Sequence, residues 1–286
     1  MKKIVIIGNS AAGVAAAEAL RQRDKESRIS IVSKESFLAY ERPKILDFLE
    51  GKLKERQLCY CPQDFYKNND IDLVLEREVV ELNLNKKKAI FKDRDFIEFD
   101  ELVIATGAKV ALPAVKGIQK EGVVAFNGLK DAKFIFDNVP IAHTVVIVGE
   151  GGIAEQMARI IAAKKIEVKF FGALSPSIES VDVIADQTIV EILGDSDAKA
   201  VRLSNQKVLG ASLVIFTGPT QPQCDFLKET QIKINRGILV DGSLRTNCPF
   251  VFAVGDASES CNGEKQRGWT VAQAEGRRLG ELLCQT

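Results

Sequence analysis

One pattern occurs twice in this chain and limits what it can fold into. Lys3-Ile4-Val5-Ile6-Ile7 is a short run of branched apolar residues, of the kind that suits a strand buried on both faces of a parallel sheet. A glycine turn follows, and then residues 11–23, alanine-rich with basic residues at the end, which predict a helix packed closely on a sheet. Arg28–Val32 reads as a second strand and completes a βαβ unit of about 30 residues. About 140 residues later the cadence returns. Thr144–Val148 reads as strand, Gly149-Glu150-Gly151-Gly152 as turn, residues 153–164 as helix and Val168–Phe171 as strand. A chain with two such starts is predicted to be α/β and to hold two nucleotide-type folds.

The intervening segments fit this plan. Leu73–Phe99 alternates in short runs around Asn83–Lys88 and predicts a small antiparallel hairpin set whose Lys86–Lys88 tip is solvated. Leu102–Ala105 is another buried strand, ending at Thr106-Gly107. Strand-like runs resume at 188–193, 198–203 and 212–216, Phe250–Val254 is the last strong strand, and 270–283 reads as a closing helix. Gly172–Val183 has no helical periodicity, so the second nucleotide unit is expected to be short of a helix. With no low-complexity linker, the expected organisation is one domain inserted in another: 1–111 and 221–286 around 112–220.

Composition excludes several classes. The 286 residues carry 39 Lys plus Arg against 39 Asp plus Glu, so no basic excess points to nucleic acid or an anionic membrane surface. The apolar run at the N-terminus is broken after Ile7 by Gly8-Asn9-Ser10, and no stretch reaches the roughly 18 residues of a membrane span. Six cysteines at 59, 61, 224, 248, 261 and 284, without a secretion signal, favour a reducing compartment, and a cytoplasmic protein is expected. The two-residue spacing of zinc or iron-sulfur clamps is absent, and no metal is expected.

The turns carry the chemistry. In Gly8-Asn9-Ser10-Ala11-Ala12-Gly13 the first and last glycines occupy the positions of a dinucleotide-binding turn, where helix N–H groups and dipole favour a pyrophosphate. Ser10 replaces the middle glycine, so the turn alone also fits an ordinary doubly wound fold. Glu35, just past the second strand, is placed to accept ribose hydroxyls, or is a plain surface acid. Gly149-Glu150-Gly151-Gly152-Ile153-Ala154 matches the variant ending in alanine, with Gly149, Gly151 and Ala154 at the key positions. Its following strand ends Phe170-Phe171-Gly172-Ala173, with neither an acid for a free ribose nor an Arg for a 2′-phosphate, and Glu150 sits inside the turn. A nicotinamide preference cannot be read from these residues, and a degenerate second site stays open.

With Ala105-Thr106-Gly107 after one buried strand and Phe252-Ala253-Val254-Gly255-Asp256 ending another, the chain resembles the FAD-dependent pyridine nucleotide-disulfide oxidoreductase superfamily. Ala39-Tyr40-Glu41-Arg42-Pro43, Phe48–Lys52 and Asp64-Phe65-Tyr66 are similar to the branch of NADH-dependent rubredoxin reductases, nitrite-reductase FAD modules and NADH oxidases. The resemblance implies two Rossmann-like domains, FAD on the Gly8–Gly13 turn and on Asp256, NAD(P)H on the second turn, and Arg42 and Pro43 against the flavin. It extends the cofactor-binding set to Ser10, Ala11, Ala12, Val80, Ala105, Thr106, Gly107 and Gly255. Trp269 falls where the family starts its last helix beside the flavin ring, with core packing as the other reading. Alone, Arg42 also reads as a solvated charge.

The chain departs from the branch at several points. Asp47 stands where ferredoxin-reductase relatives carry a Lys, Phe37–Tyr40 lacks the nucleophilic Cys of coenzyme A-disulfide reductases, and the C-terminal dimerisation domain has no counterpart, so a monomer or a different dimer is expected. Cys59-Tyr60-Cys61 is the one close thiol pair, read as loop cysteines rather than a redox relay, and His143 as a surface or strand-end residue. No side chain is required as acid, base or nucleophile, since the flavin carries the chemistry. The expected function is hydride transfer from NAD(P)H to FAD and onward electron transfer to a small redox protein or small molecule. The alternative is an FAD-binding electron-transfer or interaction module that no longer uses nicotinamide.

Overall fold

The structure is a computed structural model that describes residues 1–174, 178–261 and 267–284. The chain forms two compact units, Met1–Glu41 with Cys59–Ala108 and Gln221–Thr286, and Arg42–Leu58 with Lys109–Thr220. No helix among the described residues is long and apolar enough to cross a membrane.

The first unit is built on a five-stranded parallel sheet. Its strands are Lys3–Ile7 (β1), Arg28–Val32 (β2), Ile71–Val74 (β3), Glu101–Ile104 (β7) and Val251–Ala253 (β19), in the spatial order β19-β7-β1-β2-β3. Ile4 pairs with Ile29 on one side and Glu101 on the other, so β1 is central and its apolar side chains are buried on both faces. The last third of the chain thus finishes the sheet that the first third begins. Ala11–Arg23 (α1) and Trp269–Leu283 (α6) pack together through small residues. A Cβ on Gly276 would lie 2.2 Å from the Ala12 carbonyl oxygen, and one on Gly280 would lie 2.5 Å from that of Ala16. The alanines of α1 are therefore the surface on which a second helix lies in near backbone contact.

Arg21 does more than complement the helix dipole. It is 5% exposed, and its guanidinium donates to the carbonyls of Asn69, Asp24, Ser27 and Asp70 at 2.8–3.0 Å. It ties the end of α1 to the four-residue helix Phe65–Asn68 (α3) and the start of β3. An antiparallel set of Val79–Asn83 (β4), Lys88–Phe91 (β5) and Phe96–Glu98 (β6) follows, as the alternation predicts. Its lysine tip is not wholly solvated: Lys87 Nζ lies 4.7 Å from the Phe250 ring centroid, Lys88 Nζ 3.4 Å from that of Phe96. Ile238–Val240 (β18) and Ser258–Ser260 (β20) form a further parallel pair.

The second unit repeats the architecture. Its parallel sheet contains Val123–Ala125 (β9), Thr144–Val148 (β10), Glu167–Phe171 (β11), Val181–Val183 (β12) and Leu213–Phe216 (β16), in the order β12-β11-β10-β16-β9. An antiparallel sheet of Ile189–Leu193 (β13), Ala200–Leu203 (β14) and Val208–Gly210 (β15) belongs to the same unit. Gly152–Ala162 (α5) follows the second turn, and none of the residues described between β11 and β12 is helical. Ala108–Val110 (β8) and Thr220–Pro222 (β17) lie where the chain passes between units.

Two features depart from the sequence reading. Leu129–Asn138 (α4), not anticipated, buries Leu129, Ala132 and Ile135, and Asp131 accepts the backbone N–H groups of Asn127 and Gly128 at its start. The segment Arg42–Leu58, assigned by sequence to the first domain, groups with the second unit. The reason is local packing: Ile45–Glu50 (α2) sets Phe48 against Phe136 with ring centroids 5.2 Å apart, and Lys133 pairs with Glu55 at 2.7 Å.

Candidate cofactor sites

In the first unit the strand order reverses at β1: β2 and β3 lie on one side, β7 and β19 on the other. Ligands of open α/β sheets bind at such a switch point, outside the carboxyl ends of the strands. The first turn leaves β1 there. Gly8 has φ +124°, its N–H donates to Val32 O at 2.8 Å, and a Cβ would lie 2.1 Å from the Ala105 carbonyl oxygen. A Cβ on Gly13 would lie 1.9 Å from the Gly8 carbonyl oxygen. Both positions admit only glycine, so the turn is drawn tightly onto the end of β7.

Ser10 is the extended N-cap of α1 and makes no side-chain capping bond, and the first turn of the helix carries no acid. The N–H groups of the first helical turn, from Ala11 onward, therefore face a position suited to an anion. Glu35 lies three residues past β2; its N–H bonds to Ser33 Oγ at 3.1 Å, and its Oε2 accepts the Tyr40 hydroxyl at 2.8 Å. The carboxylate is held at the strand end rather than loose in solvent.

The two glycine-containing strand ends meet the turn from the other side. Ala105 N–H bonds to Ile7 O at 2.8 Å. The Thr106 hydroxyl donates to Gln223 O at 2.6 Å, and Gln223 Nε2 donates back to Thr106 O at 2.8 Å. Thr106 thus anchors the returning chain, and Gly107 beside it has φ +67°. Gly255, with φ +67°, sits against α1, since a Cβ there would meet that of Ala12 at 3.2 Å. Its N–H donates to Glu275 Oε2 at 2.8 Å, and Asp256 Oδ1 accepts the Gly268 N–H at 3.2 Å. Trp269 opens α6 and meets Tyr60 edge-to-face at 5.1 Å, while the Tyr60 hydroxyl accepts from Gln273 Nε2 at 2.7 Å.

Sequence reasoning gave no role to two residues that hold this arrangement. Glu275 fixes the Gly255 amide, and only the fold brings it there. Tyr66 is the other. Its buried hydroxyl donates to Asn9 Oδ1 at 2.7 Å and accepts the Ala39 N–H at 3.3 Å, joining the turn to the loop before Tyr40. Burial pushes the Tyr66 hydroxyl and the Cys61 thiol 3.9 Å away up from their ordinary values. Asp64-Phe65-Tyr66, read as a family signature, thus has a physical role in bracing the turn. Val80 stands on the exposed side of β4, and His143 is exposed just before β10.

The second unit presents its own turn at the carboxyl end of β10. Gly149 donates to Phe171 O at 3.1 Å, and a Cβ on it would lie 2.0 Å from Thr217 Oγ1. Gly151, with φ +77°, is the N-cap of α5 and faces open space, while Ala154 is fully buried. Glu150 is exposed. Arg42 and Pro43 begin a short 3-10 turn in this unit, and Arg42 Nη1 donates to the Asn127 carbonyl.

Two parallel sheets, each with a glycine turn at the carboxyl end of its central strand, define a class: proteins built to hold two dinucleotides. The chain belongs to the pyridine nucleotide-disulphide oxidoreductase family, whose model matches residues 2–276. It is 26% identical to the NADH oxidase of Methanocaldococcus jannaschii, over 99% of this chain and 70% of that protein. It is 26% identical to the rubredoxin-NAD(+) reductase of Pseudomonas putida, over 91% of this chain and 72% of that protein. Among solved structures, an NAD-dependent persulfide reductase from A. fulgidus matches with a TM-score of 0.89 at 25% identity, over 99% of this chain and 59% of the other. A ferredoxin reductase from Rhodopseudomonas palustris has the same fold, with a TM-score of 0.89 at 23% identity over 99% of this chain and 76% of its own.

Proposed function

We propose that this protein is an FAD-dependent oxidoreductase that draws hydride from NAD(P)H and passes electrons to a small redox protein or a small molecule. The observation that carries this reading is the cradle of the first unit. At Gly8 and Gly13 a side chain would run into backbone, and Gly255, with φ +67°, lies close against Ala12, around a helix N-terminus without a side-chain cap. The donor set suits FAD: N–H groups for a pyrophosphate, the Glu35 carboxylate for ribose hydroxyls and the Asp256 carboxylate for a polyol hydroxyl. When bound, FAD supplies a ring system that accepts a hydride and releases electrons in ones or twos.

The protein's part is binding and orientation. Glu275 holds the Gly255 amide, and with it the backbone on which Asp256 is carried. Tyr66 and Asn9 brace the turn against the loop leading to Tyr40, which in turn steadies Glu35. Trp269, held by Tyr60, offers an aromatic wall at the start of α6. In the second unit Gly149, Gly151 and Ala154 shape the α5 N-terminus for the pyrophosphate of NAD(P)H. The rubredoxin-NAD(+) reductase relative supports a redox protein as acceptor, and the NADH oxidase relative a small molecule.

The test is NADH- or NADPH-driven ferricyanide reduction by the purified protein, repeated after removal and re-addition of FAD. Turnover that disappears with FAD and returns with it is expected. FAD-loaded protein that turns over with neither nucleotide would contradict the reading.

A further inference from the structure

We infer that the second unit pairs with a second copy of this chain through the open edge of its sheet, β9 meeting β9 of the copy antiparallel across a two-fold axis at Val124. The sheet ends at β9, which has β16 on one side and no strand on the other. Gly122 O accepts the Val214 N–H and the Phe126 N–H donates to Phe216 O, each at 2.8 Å, so both residues face β16. Backbone groups alternate in direction along a strand, and Val123 and Ala125 therefore turn outward. Two of the four groups they present at the edge are taken within the chain. The Val123 N–H bonds to Lys120 O at 3.2 Å, and the Asn127 side-chain amide donates to Ala125 O at 3.1 Å. Among the described residues nothing meets the Val123 carbonyl or the Ala125 N–H. Edge strands are commonly guarded by a charge or a proline, and Val123-Val124-Ala125 has neither.

Symmetry supplies the partner of these two groups. In an antiparallel pair centred on Val124, Val123 of one copy stands opposite Ala125 of the other. The Ala125 N–H then reaches the Val123 carbonyl twice, once in each direction, and neither internal bond is disturbed.

The charges match across the same axis. It sets Glu121 opposite Asn127, where the chain turns into α4 and carries Lys130. Glu121 and Lys130 border one groove of about 840 Å³ beside β9; both are exposed, and neither has a side-chain partner among the described residues. Acid therefore meets base at both ends of the pair. The groove is also lined by Phe134 of α4, 40% exposed, and by Ile141 just beyond the helix, 76% exposed. A two-fold axis perpendicular to the sheet keeps both copies of α4 on one face, where these apolar side chains cover one another. An extended segment of another protein would satisfy the two backbone groups but would not return the charge match.

Sedimentation velocity of the full chain with FAD tests this, from about 5 to about 300 µM, since so short an interface is expected to be weak. Wild type should pass from one chain to two across that range. Ala125→Pro removes the outward N–H and leaves the bonds to β16 intact, so it should stay a monomer while its circular dichroism is unchanged. Glu121→Lys and Lys130→Glu should each weaken the dimer by about tenfold, because symmetry counts each change twice, and the two together should restore it. A wild type that remains monomeric throughout overturns the inference and leaves the edge to a segment of a different protein. A dimer that neither charge reversal weakens forms through another surface and overturns it equally, and this comparison decides the matter even where Ala125→Pro does not fold.

Discussion

Replacing Gly276 by Ala tests the contact between the closing helix and the cofactor turn. The added Cβ would lie 2.2 Å from the Ala12 carbonyl oxygen, and ordinary contact begins near 3.4 Å, so α6 and the first turn of α1 must part by about 1.2 Å. Overpacking of this kind costs about 1–3 kcal/mol. The better helix propensity of Ala offsets about 1 kcal/mol. The net loss of stability is therefore small, at most about 2 kcal/mol, but the displacement falls on Ala12, next to the N–H groups that would bind the FAD pyrophosphate. Gly280→Ala is the internal control, since it needs about 0.9 Å of movement, from 2.5 Å, against Ala16 one turn farther along α1. Both variants should lose a few degrees in apo melting temperature, at about 2–4 °C per kcal/mol. FAD affinity, followed by flavin fluorescence quenching, should fall by about tenfold or more in Gly276→Ala, roughly the 1.4 kcal/mol of one charge-assisted hydrogen bond. It should fall much less in Gly280→Ala. Equal losses, or an unchanged affinity in Gly276→Ala, would refute the reasoning.

Glu275→Ala leaves the Gly255 amide without its carboxylate partner and should weaken FAD binding by about tenfold, whereas Glu275→Gln, which keeps an acceptor, should recover most of it; an isothermal titration with FAD compares the two. Arg21→Met removes donors from four backbone carbonyls around α1 and should cost about 2–4 kcal/mol in urea unfolding, and a loss below 1 kcal/mol would mean that water replaces the guanidinium. Burial raises the thiols of Cys61, Cys248 and Cys284, so each holds less thiolate at a given pH. In native protein at pH 8, iodoacetamide should label exposed Cys59 well before these three, and peptide mass spectrometry reads the order.

Much of the fold was legible because its signals are local. Ile4–Ile7 and Thr144–Val148 are apolar runs between turns, and Gly8, Gly13 and Gly149 mark points where backbone must meet backbone or a neighbouring side chain. Helix α4 was also written locally, in Leu129, Ala132 and Ile135 at helical spacing, but its lysines and aspartates obscure the pattern. What stayed hidden depends on long-range contact. Nothing in Arg42–Leu58 itself announces that Phe48 meets Phe136. Arg21 read as a helix-end charge because the carbonyls of Asn69 and Asp70 lie almost fifty residues away. Glu275 and Tyr66 belong to the candidate site only through the fold, which brings one to Gly255 and the other to Asn9.

The central claim is that one chain holds a flavin and draws electrons into it from a nicotinamide nucleotide. It is tested most directly by anaerobic titration of the FAD-loaded protein with NADH and then NADPH while the flavin absorbance near 450 nm is followed. The account predicts bleaching by about one equivalent of nucleotide. Bound FAD that bleaches with dithionite but with neither nucleotide would contradict it, and would leave an FAD-binding electron-transfer module whose second turn no longer serves nicotinamide.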